Sequence, residues 1–170
     1  MAIIPATLED VPALVRLVNS AYRGDESKQG WTTEADLLGG IRTDEEAMRD
    51  LINKPQSVIL KYLNNDNELT ACVYLEKKDN EMYLGMLSVS PTAQANGIGK
   101  QLIDASEAYA RQQQKTAVVM TVISVRAELI EWYKRRGYSL TGETQPFPND
   151  VRFGIPKQPL EFVVMKKKLC

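Results

Sequence analysis

Residues 84–109 fix more of this chain than any other stretch, because they set a strand, a glycine-bearing turn and a helix end to end. Leu87 and Val89 are bulky strand formers, and Pro91, which cannot donate to a ladder, stops the strand. After Gly99 the positions Leu102, Ile103, Ser106, Tyr109 and Ala110 recur at helical spacing. That spacing leaves Lys100, Gln101, Asp104, Glu107 and Arg111 for water. Glycines at a strand-to-helix turn let backbone approach a ligand closely. The first amides of the helix lack intrahelical partners, and the helix dipole adds positive potential there. The stretch therefore reads as a phosphate cradle or, more plainly, as a glycine-containing connection that binds nothing.

Three phosphate-binding patterns can be set against it. The Walker pattern requires Gly at 94 and Ser or Thr at 101, where Gln94 and Gln101 stand, so no hydroxyl is placed for magnesium. The dinucleotide pattern requires a third glycine where Leu102 stands. The pattern that fits is Gln-x-x-Gly-x-Gly, Gln94 to Gly99, after Leu87, Val89 and Pro91. It resembles the acetyl-CoA signature of the GCN5-related N-acetyltransferase (GNAT) superfamily.

Composition narrows the chemistry. Histidine is absent, which excludes Ser-His-Asp, Cys-His and His-ligated metal sites. Two cysteines, Cys72 and Cys170, cannot build a disulfide framework or a zinc site. Proton transfer falls to carboxylates, Tyr, Lys, Cys or water. A net charge of −1 gives no footprint for nucleic acid, and Lys166-Lys167-Lys168 is too short to change that. With 170 residues and no linker, the expectation is one domain over 1–170. No leader or long apolar span is seen, so neither membrane association nor a compartment other than the cytoplasm is expected.

In chain order, Ala2–Pro5 reads as a strand and residues 8–22 as a helix, with Thr7 as N-cap and Asp10 three residues later as an imperfect capping box. Residues 23–42 are irregular; Thr33 can cap a short helix over 34–38, and Thr43 can cap the helix 44–52. Strands over 57–62 and 69–76 form a meander with the strand ending at Val89. The helix 98–113 leads to an apolar strand over 116–123, implying a parallel, right-handed crossover. A helix to Arg136 is stopped by Gly137, a strand spans 138–144, a proline-rich loop spans 146–159, and a strand over 160–168 closes the chain. That closing strand offers an edge through which two copies could pair as a homodimer.

The resemblance extends beyond the loop. Tyr133 with Gly137-Tyr138 is similar to the Tyr-x-x-x-Gly-Phe/Tyr element after the superfamily's fifth strand, and Met165-x-Lys-x-Leu is similar to its last strand. It implies an α/β fold: a mixed, mostly antiparallel sheet of about seven strands, helices on both faces and a central parallel β-α-β unit. It also implies an acetyl-CoA-dependent N-acetyltransferase acting on a small-molecule amine or a peptide N-terminus by direct attack on the thioester, with no metal. Leu87, Ser88 and Val89 would pair with the pantetheine arm, the Val89 amide polarising the thioester carbonyl. Amides of Ala95, Asn96, Gly97, Ile98, Gly99 and Lys100 would hold the pyrophosphate, with Gln94 supporting the loop. Tyr133 would protonate the departing thiolate, although core packing alone also predicts an aromatic there. Many members carry Asn where Arg126 stands, so Arg126 either reaches a CoA phosphate or lies in solvent. Glu81 and Glu34 are the candidate bases, each also readable as a surface carboxylate. The reading from a different class is a non-catalytic acyl-CoA-binding or sensing domain.

Overall fold

A computed structural model describes residues 1–22, 38–39, 42–146, 155–156 and 160–169, with backbone alone at 38–39, 94–96 and 155–156. Strand β1 (Ala2–Pro5) is followed by a 3-10 turn over Leu8–Asp10 and helix α1 (Val11–Tyr22). The expected single helix from residue 8 thus begins tighter: the Thr7 amide donates to the Asp10 carboxylate at 2.8 Å, and Pro12 falls in the first turn of α1. After β2 (Leu38–Gly39) comes α2 (Glu45–Asn53). Its cap is Asp44, which accepts the Ala47 amide at 2.8 Å, and not Thr43. Thr43 is unavailable because its backbone is bonded on both sides to the Asn19 side chain, and it is buried.

Strands β3 (Ser57–Leu63), β4 (Leu69–Lys78) and β5 (Glu81–Val89) form the expected meander. Helix α3 (Ile98–Gln112), β6 (Ala117–Ile123), α4 (Ala127–Lys134), β7 (Ser139–Pro146), β8 (Ile155–Pro156) and β9 (Glu161–Lys168) complete the order. Seven strands make one sheet in the order β1-β3-β4-β5-β6-β9-β7, with β5 and β6 parallel and every other pair antiparallel. The fold class read from sequence is the one observed. The closing strand, however, is no edge: β9 lies between β6 and β7, and the sheet's outer strands are β1 and β7. Leu38, expected to end a short helix, instead pairs with Pro156 as part of a separate two-stranded ladder. The rest of that expected helix, 34–37, lies outside the described residues.

Strand alternation sorts the core onto two faces. Along β4, Ala71, Val73 and Leu75 pack with Leu102 and Ile103 of α3 and Leu129 and Ile130 of α4. Cys72 and Tyr74 point the other way, into Leu14, Val18 and Met48 of α1 and α2. One expectation for α3 fails. Glu107 is 5% exposed, because Lys167 on β9 and Tyr138 reach its two oxygens at 2.9 and 3.0 Å.

Candidate active site

The site begins where the sheet stops being a sheet. β5 pairs with β6 at Glu81, Met82 and Tyr83, opposite Ala117, Val118 and Val119, and not beyond. β6 keeps its other neighbour, β9, along its whole length, so it is β5 that leaves. The cause is a β-bulge: Met86 and Leu87 stand opposite Val73 alone, and Met86 adopts a left-handed φ of 53°. Gly85, just before it, lies beneath the Tyr83 ring, where a Cβ would come within 2.9 Å of ring carbon. A glycine inside an otherwise bulky strand was the available sign of this bulge.

Past the bulge, strand alternation decides which backbone groups face the gap. The Ser90 amide donates to Thr70 on β4 at 2.8 Å, so Ser88 faces β4 and the backbone groups of Leu87 and Val89 face the opened edge. The Tyr22 hydroxyl, from the end of α1, donates to the Leu87 carbonyl. Between the parted strands lies a cavity of about 140 Å³, lined by Tyr22, Leu84–Leu87, Met120–Ile123, Arg126 and Tyr133 among others. It shares Arg42, Tyr83, Gly85, Met86, Met120, Thr121 and Phe162 with a wider cleft of about 620 Å³. The passage therefore runs through the sheet from one face toward the other.

Tyr133 is held in this passage by the end of its own helix. The Tyr138 amide donates to the Tyr133 carbonyl at 3.2 Å and the Gly137 amide to Lys134 at 3.0 Å, a Schellman ending with Gly137 at φ 97°. Tyr138 then meets the Tyr133 ring edge-on, with centroids 6.0 Å apart. The Tyr133 hydroxyl has no hydrogen-bond partner among the described residues, although the side chain is buried. Burial, with a smaller push from Tyr22, raises its pKa; the charge of Arg126, which lines the same cavity, opposes that. Tyr133 is a neutral hydroxyl, and hence a proton donor, at any ordinary pH.

The glycine turn is more regular than a loop. Pro91–Asn96 forms a 3-10 turn, Gly97 closes it at φ 72° with open space around its α-carbon, and α3 starts at Ile98. The first helical bond runs from the Gln101 amide to the Gly97 carbonyl at 3.2 Å. Gln94, Ala95 and Asn96 lie within the turn by backbone; Ile98 and Gly99 are buried. The exposed Lys100 ammonium sits on Asp104 at 3.0 Å.

The other expected residues divide. Leu87 lines the cavity, whereas the Ser88 hydroxyl turns back to the Met86 carbonyl at 3.0 Å and Val89 is core. Arg126, at the N-cap of α4, lines the cavity beside Tyr133, so it does not lie in open solvent. Glu81 lines the wider cleft, ion-paired with Lys166. Glu34 lies outside the described residues. Sequence reasoning missed Tyr22 and Arg42, whose roles arise only from α1 and residue 42 meeting β5. It also missed Glu76, which lines the cleft between Lys54 at 3.0 Å and Lys78 at 3.8 Å. Burial pushes the Glu76 pKa up, but hydrogen bonds from Tyr74 and Lys54 and the two lysine charges outweigh it, leaving the carboxyl below its usual range. No helix among the described residues is long and apolar enough to cross a membrane, and no cluster of metal-ligating side chains occurs among them.

Known proteins share this fold. The sequence pattern described as the Acetyltransferase (GNAT) family matches residues 14–138. The fold is similar to that of a ribosomal-protein-alanine N-acetyltransferase from Brucella melitensis, at a TM-score of 0.74 and 19% identity over 99% of this chain and 100% of that one. A spermidine N-acetyltransferase chimera from Vibrio cholerae gives a TM-score of 0.69 at 12% identity, over 99% and 96%. A Bacillus anthracis chain assigned as a streptothricin acetyltransferase, in complex with acetyl coenzyme A, gives 0.59 at 17% identity, over 71% and 67%. At these identities the likeness carries the fold alone. No sequence among curated proteins matches.

Proposed function

Since the chain belongs to the acetyltransferase (GNAT) family, we propose that it moves an acetyl group from acetyl-CoA to a primary amine of a small molecule or a peptide N-terminus. The observation that carries this reading is the parting of β5 from β6 after Tyr83 and Val119, with Tyr133 facing the gap. An extended pantetheine arm supplies the pairing that β5 gives up there. The turn before α3 and the first amides of that helix suit the pyrophosphate.

The amine enters from the wider cleft and attacks the thioester carbonyl as a neutral nucleophile. The Val89 amide meets the negative charge that builds on the carbonyl oxygen. Collapse breaks the carbon–sulfur bond, and Tyr133 gives its proton to the departing thiolate. The ammonium proton leaves beforehand through water in the cleft. Glu81, which lines the cleft, or Glu34 receives it. Positioning supplies much of the rate, since the reaction needs one orientation of amine and carbonyl.

The test is release of CoA thiol from acetyl-CoA across amino acids, polyamines, aminoglycosides and peptide N-termini. Glu81→Gln and Glu34→Gln variants run alongside to assign the base. Amine-dependent release supports the reading. No release from any amine, together with no rise in melting temperature on adding acetyl-CoA, sinks it. A rise in melting temperature without release favours a binding domain.

A further inference from the structure

Arg42 lines both the inner cavity and the wider cleft, at the point where the two meet. Its backbone is not loose. The Arg42 and Thr43 amides both donate to Asn19 Oδ1, at 2.7 and 3.0 Å, while Asn19 Nδ2 donates to the Thr43 carbonyl at 3.0 Å. One helical turn along α1, the Tyr22 ring lies under the Arg42 guanidinium, 5.4 Å from its centroid. Tyr22 is itself tied to the Leu87 carbonyl beyond the bulge. The guanidinium is thereby fixed relative to the parted strand from two directions.

Among the described residues its charge meets no carboxylate. The other cations of the cleft, Lys54 and Lys78, sit on Glu76, and the Glu81 carboxylate sits on Lys166. Arg42 has no carboxylate partner and no side-chain hydrogen bond among the described residues. A half-buried guanidinium carries five donors in a rigid fork, and here they are open to a ligand in the cavity.

Resting on the transferase reading above, we propose that Arg42 binds a carboxylate on the acceptor, so that the enzyme's acceptors are amines bearing a nearby carboxylate, as in α-amino acids and their relatives. A carboxylate accepts two parallel bonds from the fork, and this fixes the amine's direction of approach to the thioester. An ammonium-only acceptor such as a polyamine would meet Arg42 as a like charge. The same fork could serve an anionic group of the cofactor; the cradle at 91–100 lies past the far end of β5 from the Tyr83–Met86 segment beside Arg42, which favours the acceptor.

The experiment compares amino acids with their amides and with the corresponding decarboxylated amines, by thiol release with the wild-type protein and with Arg42→Ala and Arg42→Lys. Melting-temperature shifts by N-acetyl amino acids and N-acetyl amino amides, in the presence of CoA, give a readout that needs no turnover. The expected result is a preference of roughly 10- to 100-fold in kcat/KM for the acids, the scale of a charge-assisted hydrogen bond, carried mainly in KM. Arg42→Ala abolishes the preference, Arg42→Lys keeps part of it, and acetyl-CoA affinity is unchanged in both. Equal use of acids and amides by the wild type overturns the proposal, as does a melting-temperature response blind to the carboxylate. An equal loss of acetyl-CoA affinity in Arg42→Ala overturns it by assigning the fork to the cofactor. Failure of the transferase reading would appear separately, as no acetyl-CoA response in the wild type.

Discussion

Two tyrosines five residues apart, in ring contact, meet opposite surroundings. Tyr138 points behind α4 into a closed polar cluster, its hydroxyl on Glu107, which also holds Lys167. The Lys167 ammonium in turn reaches the Arg136 carbonyl at 3.0 Å. Tyr133 points forward into the gap between β5 and β6, with its hydroxyl unmatched among the described residues. Burial raises both pKa values, but only Tyr138 has a carboxylate whose charge and hydrogen bond raise it further. One region is sealed so that the other can be left open. The Tyr138 hydroxyl is thus committed to a neighbour, whereas the Tyr133 hydroxyl is left to the cavity.

The contrast can be broken at either end. Tyr133→Phe is expected to lower kcat by roughly 10²- to 10⁴-fold, the range for loss of a general acid, while the melting temperature and acetyl-CoA affinity hold. Retained turnover would remove Tyr133 from the chemistry. Glu107→Ala strands Lys167 and Tyr138 and is expected to cost about 3 kcal/mol, a fall of roughly 6–12 °C in a chain of this size. Thermal unfolding checks it, and turnover at low temperature should fall less than in Tyr133→Phe. On the open side, Glu76 is held below the usual carboxyl range in the folded state, as is Asp10 beside Lys61. Their stabilisation is complete above the unfolded pKa values and is lost as pH falls through the folded ones. Urea midpoints measured down to pH 3 should therefore drop more steeply for the wild type than for Glu76→Gln. The smallest effect is at Lys100. Its pair with Asp104 is exposed at both ends, so Lys100→Ala should change stability by less than ~0.5 kcal/mol. A larger change would mean that the cradle tolerates less than its exposure suggests.

Much of this was legible from residue order. Periodicity located α3 and α4, the apolar run located β6, and Gly137 after a run of helical positions located the ending that holds Tyr133. What escaped was set by contacts between distant segments. Glu107 sits at a position that helical spacing assigns to water, and Lys167, sixty residues on, with Tyr138, thirty-one residues on, makes its burial tolerable. Thr43 and Asp44 are equally good caps by type; the side chain of Asn19 decides between them. The left-handed residue at the bulge is Met86, a type with no preference for that conformation, so the sign had to be read from Gly85 beside it. Arg42 carried no motif at all, and its place follows from α1 meeting β5.

The position of β9 bears on how such a chain is made. Of the described strands it comes last, yet it fills the slot between β6 and β7. While a ribosome is still delivering residues 161–168, β6 presents a bare apolar edge and β7 has nothing to pair with. Helix α4, strung between them, cannot settle Tyr133, nor the chain after it Tyr138, until that strand arrives. The half of the sheet that lines the cavity beyond β5 must therefore assemble after synthesis has passed it, in one late cooperative step. Nascent chains arrested before residue 161 should remain protease-sensitive through β6 and α4, and a truncation there removes a keystone instead of trimming a margin.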